Sequence, residues 1–355
     1  MMRLKKIIAA CAIMTVALAA FAETREALSK IAVNKKGSNF QYWTKDSAAL
    51  ESLKSYVKDA TNKKSANFIP VEDRIAVFDM DGTLLGERSP CYFEWMMYLE
   101  RALNDESYTP SEEDRAYAEV VKDAIYNSGI PGDMEGKEAR SQSSVFAGMT
   151  QEEYTEYVKK FMETKAEGLT NLKRGEEFYL PMLEVVSFLN NNDFTVYIVS
   201  GSDRDAIRIL VDGVLDVKPN HIIGTDAMIL AENQGDKDGL DYTFKKEGEK
   251  LVRGQFLLKD VKMNKVLNIA QEIGKRPVLA FGNSSGDSSM FNYTISNPQY
   301  KGLAFSLCCD DLEDDLGNTA KADKMKADCE KNGWIAVSMR DDWTTIYGYN
   351  VKVEK

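Results

Sequence analysis

The run Ile75-Ala76-Val77-Phe78 has no polar side chain, and it is followed at once by Asp79-Met80-Asp81-Gly82-Thr83. Four apolar residues, two of them β-branched, suit a strand with both faces covered, as in the interior of a parallel sheet. Gly82 and Thr83 then turn the chain. Two carboxylates at the end of a buried strand need water, a cation or hydrogen-bond donors, so they rarely stand there for stability. Their spacing allows one to act as nucleophile and metal ligand while the other leans over the same site as an acid.

Other segments repeat the pattern. Phe194 to Val199 reads as a strand running into Ser200-Gly201-Ser202, and Pro277 to Phe281 as another running into Gly282-Asn283-Ser284-Ser285-Gly286-Asp287. A strand at 74 to 79 opens the series and one at Leu303 to Leu307 follows. Helical patterns fall at Met182 to Leu189, Asp203 to Val211 and Val261 to Ile273, with Ser202 or Asp203 as the cap of the second. Residues 231 to 258 suggest a hairpin elaboration. This alternation predicts a Rossmann-like three-layer α/β/α fold with a parallel sheet and ligands at the carboxyl ends of its strands.

Between Glu87 and Phe178 the pattern is helical throughout, with amphipathic stretches at Tyr92 to Leu103, Ser111 to Tyr126 and Gln151 to Lys165. Ser111 begins an acidic turn suited to a capped helix start. This predicts an inserted helical cap domain over 87–179, with the hydrolase core at 70–86 and 180–355. Residues 23–69 read as an N-terminal helical arm whose helix, Ser47 to Lys58, carries Leu50, Leu53, Tyr56 and Val57 on one face.

The first 22 residues have the form of a secretory signal peptide. Arg3, Lys5 and Lys6 precede an apolar stretch from Ile7 to Ala19, short for a bilayer span, and Ala20-Phe21-Ala22 is a small-x-small cleavage pattern. Cleavage takes the formal charge from −11 to −14, because three lysine and arginine residues and no acid leave with the segment. An acidic chain without a basic cluster is a poor nucleic-acid binder. The expectation is an exported protein, periplasmic or secreted, with no membrane association after cleavage. Cys91, Cys308, Cys309 and Cys329 then remain, in no zinc-site spacing. Export permits a disulfide from Cys329 to Cys308 or Cys309, and free buried thiols fit equally well. His221 is the only histidine, which excludes a histidine-based triad and suggests a structural role.

The three strand-end motifs, in this order and with the lysine-bearing segment Lys262-Met263-Asn264-Lys265 before the last, resemble the phosphatase branch of the haloacid dehalogenase superfamily from about Arg74 onward. The segment Ile273 to Ser284 is similar to an exported or bacterial subgroup related to phosphoserine and phosphorylcholine phosphatases. The resemblance implies a phosphomonoesterase in which Asp79 attacks phosphorus to form an aspartyl-phosphate, and Asp81 protonates the leaving oxygen and then activates water. A halide leaves without a proton, so Asp81 speaks for phosphate chemistry over dehalogenation. Ser200, Gly201 and Thr83 would bind phosphate, and Lys265 or Lys262 would neutralise it, with Lys265 fitting better. Mg²⁺ is the implied cofactor, with Asp79, Asp81 through its carbonyl, and Asn283 or Asp287 as ligands. Asn283 stands where the commoner pattern has an acid, which leaves that third ligand open.

The implied substrate is a small phosphate ester. Thirteen aromatics lie between Glu87 and Leu180. Tyr92, Phe93, Trp95 and Tyr98, with Glu94 and Glu100, offer a cage for a quaternary ammonium group and hence a phosphocholine-like ester; aromatic packing among the helices is the plainer account. A phosphotransferase using the same intermediate, and a catalytically silent binding protein, are the alternative readings.

Overall fold

The computed structural model describes residues 23–37 and 39–355; the predicted signal peptide lies outside them. Seven strands form one sheet: β1 (Ile75–Phe78), β2 (Thr195–Asp203), β3 (Ile222–Ala231), β4 (Leu251–Leu258), β5 (Leu279–Gly282), β6 (Leu303–Cys308) and β7 (Ile335–Ser338). Their spatial order is β4-β3-β2-β1-β5-β6-β7. All neighbours are parallel except β3 and β4, which pair antiparallel at one edge. The hairpin expected within 231–258 begins earlier, its first strand being β3 (Ile222–Ala231), a run that sequence reasoning does not make a strand. β1 is central. It pairs with β2 on one side and β5 on the other, so the three strand ends that carry the motifs lie side by side.

The apolar runs form strands because both sheet faces are covered. Ala76 and Phe78 join the large core cluster on one face, while Ile75 and Val77 join a second on the other. Phe78, Phe281 and Phe305 stack across β1, β5 and β6 with centroids 4.3 and 4.9 Å apart and planes 10° from parallel. This ladder holds the three strands in register beneath the site.

Five α-helices lie between β1 and β2 among the described residues: Phe93–Leu99, Glu112–Asp123, Met134–Val145 and Gln151–Met162 in the expected insertion, then Leu180–Asn190. Ser111 caps the second through Asp114 N–H, and Thr150 with Glu153 closes a capping box on the fourth. The third packs against β4 and the fourth against the helix Arg204–Val211. Of the two cap candidates for that last helix it is Asp203 that serves, accepting from the amides of Asp205 and Ala206 at 3.0 Å. The N-terminal helix Ala48–Thr61 buries Leu50, Leu53, Tyr56 and Val57 in the main core.

Cys91, Cys308, Cys309 and Cys329 are all buried and free, so the disulfide alternative does not hold. His221 packs its ring 4.5 Å from that of Tyr197. No helix among the described residues is long and apolar enough to cross a membrane.

Candidate active site

The turn after β1 is built on main-chain bonds. The Met80 carbonyl accepts from the amides of Thr83, Leu84 and Leu85, and the Leu85 carbonyl accepts from Gly82. The Asp81 carbonyl takes no part in this turn. Gly82 has φ +73°, and a Cβ there would stand 1.8 Å from Asn283 Nδ2. Only glycine permits both that conformation and that approach.

The turn delivers Asp79 and Asp81 to a cavity of about 320 Å³. Ser200, Gly201 and Ser202 enter it from β2, Asn283 to Asp287 from β5, and Lys265 from the helix Met263–Asn268. Lys265 is 2 % exposed and donates to Asp79 Oδ1 at 2.7 Å and to Asp287 Oδ1 at 2.6 Å. Lys262, the alternative lysine, is exposed and lines the same cavity. Its amide donates to the Gly286 carbonyl at 2.9 Å, which holds its positive φ of +57° and ties the helix start to the third motif. Of the two lysines it is Lys265 that reaches Asp79.

Asp287 is fully engaged. Besides Lys265 on Oδ1, its Oδ2 accepts from the amides of Asn283 at 3.0 Å and Ser284 at 3.1 Å. That makes it a support for the lysine and the loop, with little capacity left to bind a metal directly. Ser202, outside the predicted set, donates to Asp81 Oδ2 at 2.5 Å. The Ser200 hydroxyl accepts from Ser202 N–H at 3.2 Å. Thr83, expected on phosphate, is instead completely buried; its hydroxyl has no hydrogen-bond partner among the described residues, and it does not line the cavity. The tight turn directs it into the core.

Burial is the main force on the two aspartates. It pushes Asp79 up to about 8, aided by the Asp287 charge and opposed by Lys265. It pushes Asp81 up to about 7, against the Ser202 hydrogen bond. Lys265 is held charged, because the carboxylates of Asp287, Asp79 and Asp260 together outweigh its desolvation.

Several charged residues that sequence reasoning passes over or gives another role also enter the cavity. Glu87 accepts from Asn283 Nδ2 at 2.9 Å and pairs with Lys321. Glu94 accepts from Asp203 N–H at 2.7 Å and from Lys259 at 3.1 Å, joining the first inserted helix to the end of β2. Lone charges of this kind read as solvated surface; the only hint is that Glu87 and Glu94 follow the first motif closely. Of the four aromatics considered for a cage, Tyr92 and Trp95 line the cavity, 5.7 Å apart and edge to face. Phe93 and Tyr98 do not; Tyr98 shares a hydrogen bond with Ser141 instead.

The donors suit a hard cation. Asp79 keeps Oδ2 beyond its bond to Lys265, the Asp81 carbonyl is outside the turn's hydrogen bonds, and Asn283 has its amide oxygen. No group of three or more His, Cys, Asp or Glu side chains forms a metal cluster among the described residues. The set that would fit is mixed: one carboxylate, one main-chain carbonyl and one amide, all hard oxygen donors of the kind Mg²⁺ takes.

A family model described as haloacid dehalogenase-like hydrolase matches residues 76–292. The chain belongs to that family of hydrolases. The matched span runs from β1 through all three strand-end motifs. Among solved structures, a conserved protein of unknown function from Anaerococcus prevotii DSM 20548 is 14% identical, with 85% of this chain and 94% of that one covered and a TM-score of 0.47. A phosphoserine phosphohydrolase-like protein from Francisella tularensis subsp. tularensis SCHU S4 is 16% identical, covering 71% and 92%, with a TM-score of 0.37. Cytosolic 5'-nucleotidase IIIB bound to cytidine is 11% identical, covering 85% and 88%, with a TM-score of 0.46. No curated protein matches the chain.

Proposed function

We propose that this hydrolase is a Mg²⁺-dependent phosphomonoesterase working through Asp79. The observation that carries the reading is the placement of Asp79 and Asp81 on one turn, the first on Lys265 and the second on Ser202, within a single small cavity. Asp79 attacks phosphorus, and the ester oxygen leaves with the proton of Asp81. Asp81, now ionised, takes a proton from water as that water attacks the aspartyl-phosphate, which frees phosphate and restores Asp79. An acid pushed up to about 7 is suited to giving and regaining a proton near neutrality. Lys265 balances the Asp79 charge, and the Gly201 amide with the Ser200 hydroxyl supports phosphate oxygens. Asp79, the Asp81 carbonyl and Asn283 would hold Mg²⁺, which would supply positive charge favouring ionised Asp79 and neutralising the phosphoryl group.

The cavity's size supports a small ester. Tyr92, Trp95 and the half-buried Glu135 on its wall favour a cationic leaving group, a phosphocholine-like ester included. The leader pattern at residues 1–22 supports an exported enzyme. The test is hydrolysis of p-nitrophenyl phosphate with Mg²⁺ or EDTA, by wild type and Asp79→Asn, followed by an ester panel including phosphocholine and phosphoserine. Metal-dependent turnover lost in Asp79→Asn is expected. Turnover that survives in Asp79→Asn would sink the mechanism.

A further inference from the structure

Asn283 can offer a cation only one atom, its amide oxygen, and nothing about an amide by itself decides which way that oxygen faces. The structure contains a device that decides it. Asn283 Nδ2 donates to Glu87 Oε2 at 2.9 Å, and Lys321 Nζ pairs with the other oxygen, Glu87 Oε1. With Glu87 Oε2 the acceptor of that bond, the amide nitrogen is the side-chain atom of Asn283 that faces it. The oxygen is then the atom left for the cavity that Asn283 lines. Asn283 and Glu87 are 4 % and 6 % exposed, and both press on the bare face of Gly82, where a Cβ would stand 2.9 Å from Glu87 Cδ.

We infer that Glu87, clamped by Lys321, is a positioning residue that holds the Asn283 amide with its oxygen toward the cation site. The inference rests on the Mg²⁺ reading above and deepens it. It carries a consequence for each partner. In Glu87→Gln, one orientation of the new amide sets a donor against Lys321. The other gives its oxygen to Lys321 and its NH₂ to Asn283, which satisfies every hydrogen bond only if the Asn283 amide turns its oxygen away from the cation. In Asn283→Asp, two carboxylates meet at the present hydrogen-bond distance, and one must take a proton or move. In the double variant the introduced glutamine donates its NH₂ to one oxygen of the introduced aspartate, and the other oxygen remains for the cation.

The experiment is calorimetric titration with Mg²⁺ on wild type, Glu87→Gln, Asn283→Asp and the double variant, with metal-free melting of all four in EDTA. Glu87→Gln is expected to weaken Mg²⁺ binding by about 10-fold to 100-fold, the range for lost partners of metal ligands. The double variant is expected to regain most of that affinity. Without metal, Asn283→Asp is expected to melt below wild type, and the same change in the Glu87→Gln background to cost little; this readout needs no activity. Unchanged Mg²⁺ affinity in Glu87→Gln, or effects that simply add in the double variant, overturns the positioning role while the catalytic reading stands. A wild type that binds no Mg²⁺ overturns both. Should Glu87→Gln fail to fold, the metal-free melting of Asn283→Asp still decides, since a melting point equal to wild type removes the proposed clash.

Discussion

Among the described residues Lys265 is the only cation in hydrogen-bond contact with Asp79, and the consequence of losing it can be worked out in some detail. In Lys265→Met the buried carboxylates of Asp79 and Asp287 lose donors at 2.7 and 2.6 Å. Removing one partner from a buried ion pair costs about 3–5 kcal/mol, or roughly 4–7 °C in melting temperature at about 2.1 cal/mol/K of unfolding entropy per residue. The cost depends on pH in a definite direction. Burial and Asp287 already hold Asp79 up at about 8, and Lys265 is what opposes them, so its removal pushes Asp79 further up. A carboxyl group whose folded value exceeds its unfolded one binds a proton in the folded state that the unfolded chain lacks, so stability rises as pH falls through the folded value. The rise is complete below the unfolded value, near 4. The gap between Lys265→Met and wild type is therefore widest above the variant's own Asp79 value and narrows, by about 1.4 kcal/mol per pH unit, down to about 8, where wild type takes up the proton too. Metal-free melting in EDTA at pH 6, 7.5 and 9 measures it. A gap that stays constant over this range would mean that Lys265 is there for packing and that its charge does not govern Asp79.

Other outcomes follow from the same geometry. Asp81→Asn is expected to slow cleavage of alkyl phosphates by about 10²–10⁴-fold, the usual worth of a placed acid, and to spare the first step for p-nitrophenyl phosphate, so that a burst of nitrophenol appears in stopped flow. In wild type, cleavage of alkyl phosphates is expected to decline as pH rises past about 7, where Asp81 loses its proton, and Asp81→Asn to lack that limb of the profile. Gly82→Ala places a Cβ on Asn283 Nδ2 at a φ of +73°; loss of Mg²⁺ affinity in calorimetry and a lower melting temperature are expected together. Arg253→Met breaks the buried pair with Asp203 and the half-buried one with Asp205, and removes the guanidinium stacked 3.8 Å over Tyr154; a loss of about 3–5 kcal/mol by denaturant titration checks it.

Much of the core is legible in the sequence because its strands are short apolar runs buried on both faces, each ending in residues that break the run. Ile75 to Phe78 and Leu279 to Gly282 announce themselves in this way. The helix Met134–Val145 does not, because it buries Glu138, Ser141, Gln142 and Ser143 alongside its few apolar residues. Its packing surface is a polar network, invisible to hydrophobic periodicity. The site shows the same division. Asp79, Asp81 and Lys265 are marked by motif and order, whereas Glu87, Lys259 and Lys321 matter only through partners 165 to 234 residues away in sequence. Lys259 meets Glu94 and approaches the fully buried Glu138 at 3.8 Å, a convergence that only the folded topology creates. Thr83 illustrates the reverse error: a hydroxyl beside a catalytic motif reads as part of it, and the turn sends that hydroxyl elsewhere.

The single carboxylate of Glu94 has a further consequence, for the timing of turnover. One of its oxygens takes the Asp203 amide at the end of β2, and the other takes Lys259. Any swing of the first inserted helix away from the sheet must therefore break a charge pair and leave a main-chain donor wet at the same moment. Were product to leave by that route, these two bonds would resist its departure together, as one latch. Glu94→Gln, which keeps the shape and removes the charge, is expected to open sooner. If release limits the cycle, that variant turns over faster with substrates whose chemistry is easy, and the gain disappears with substrates whose chemistry is slow.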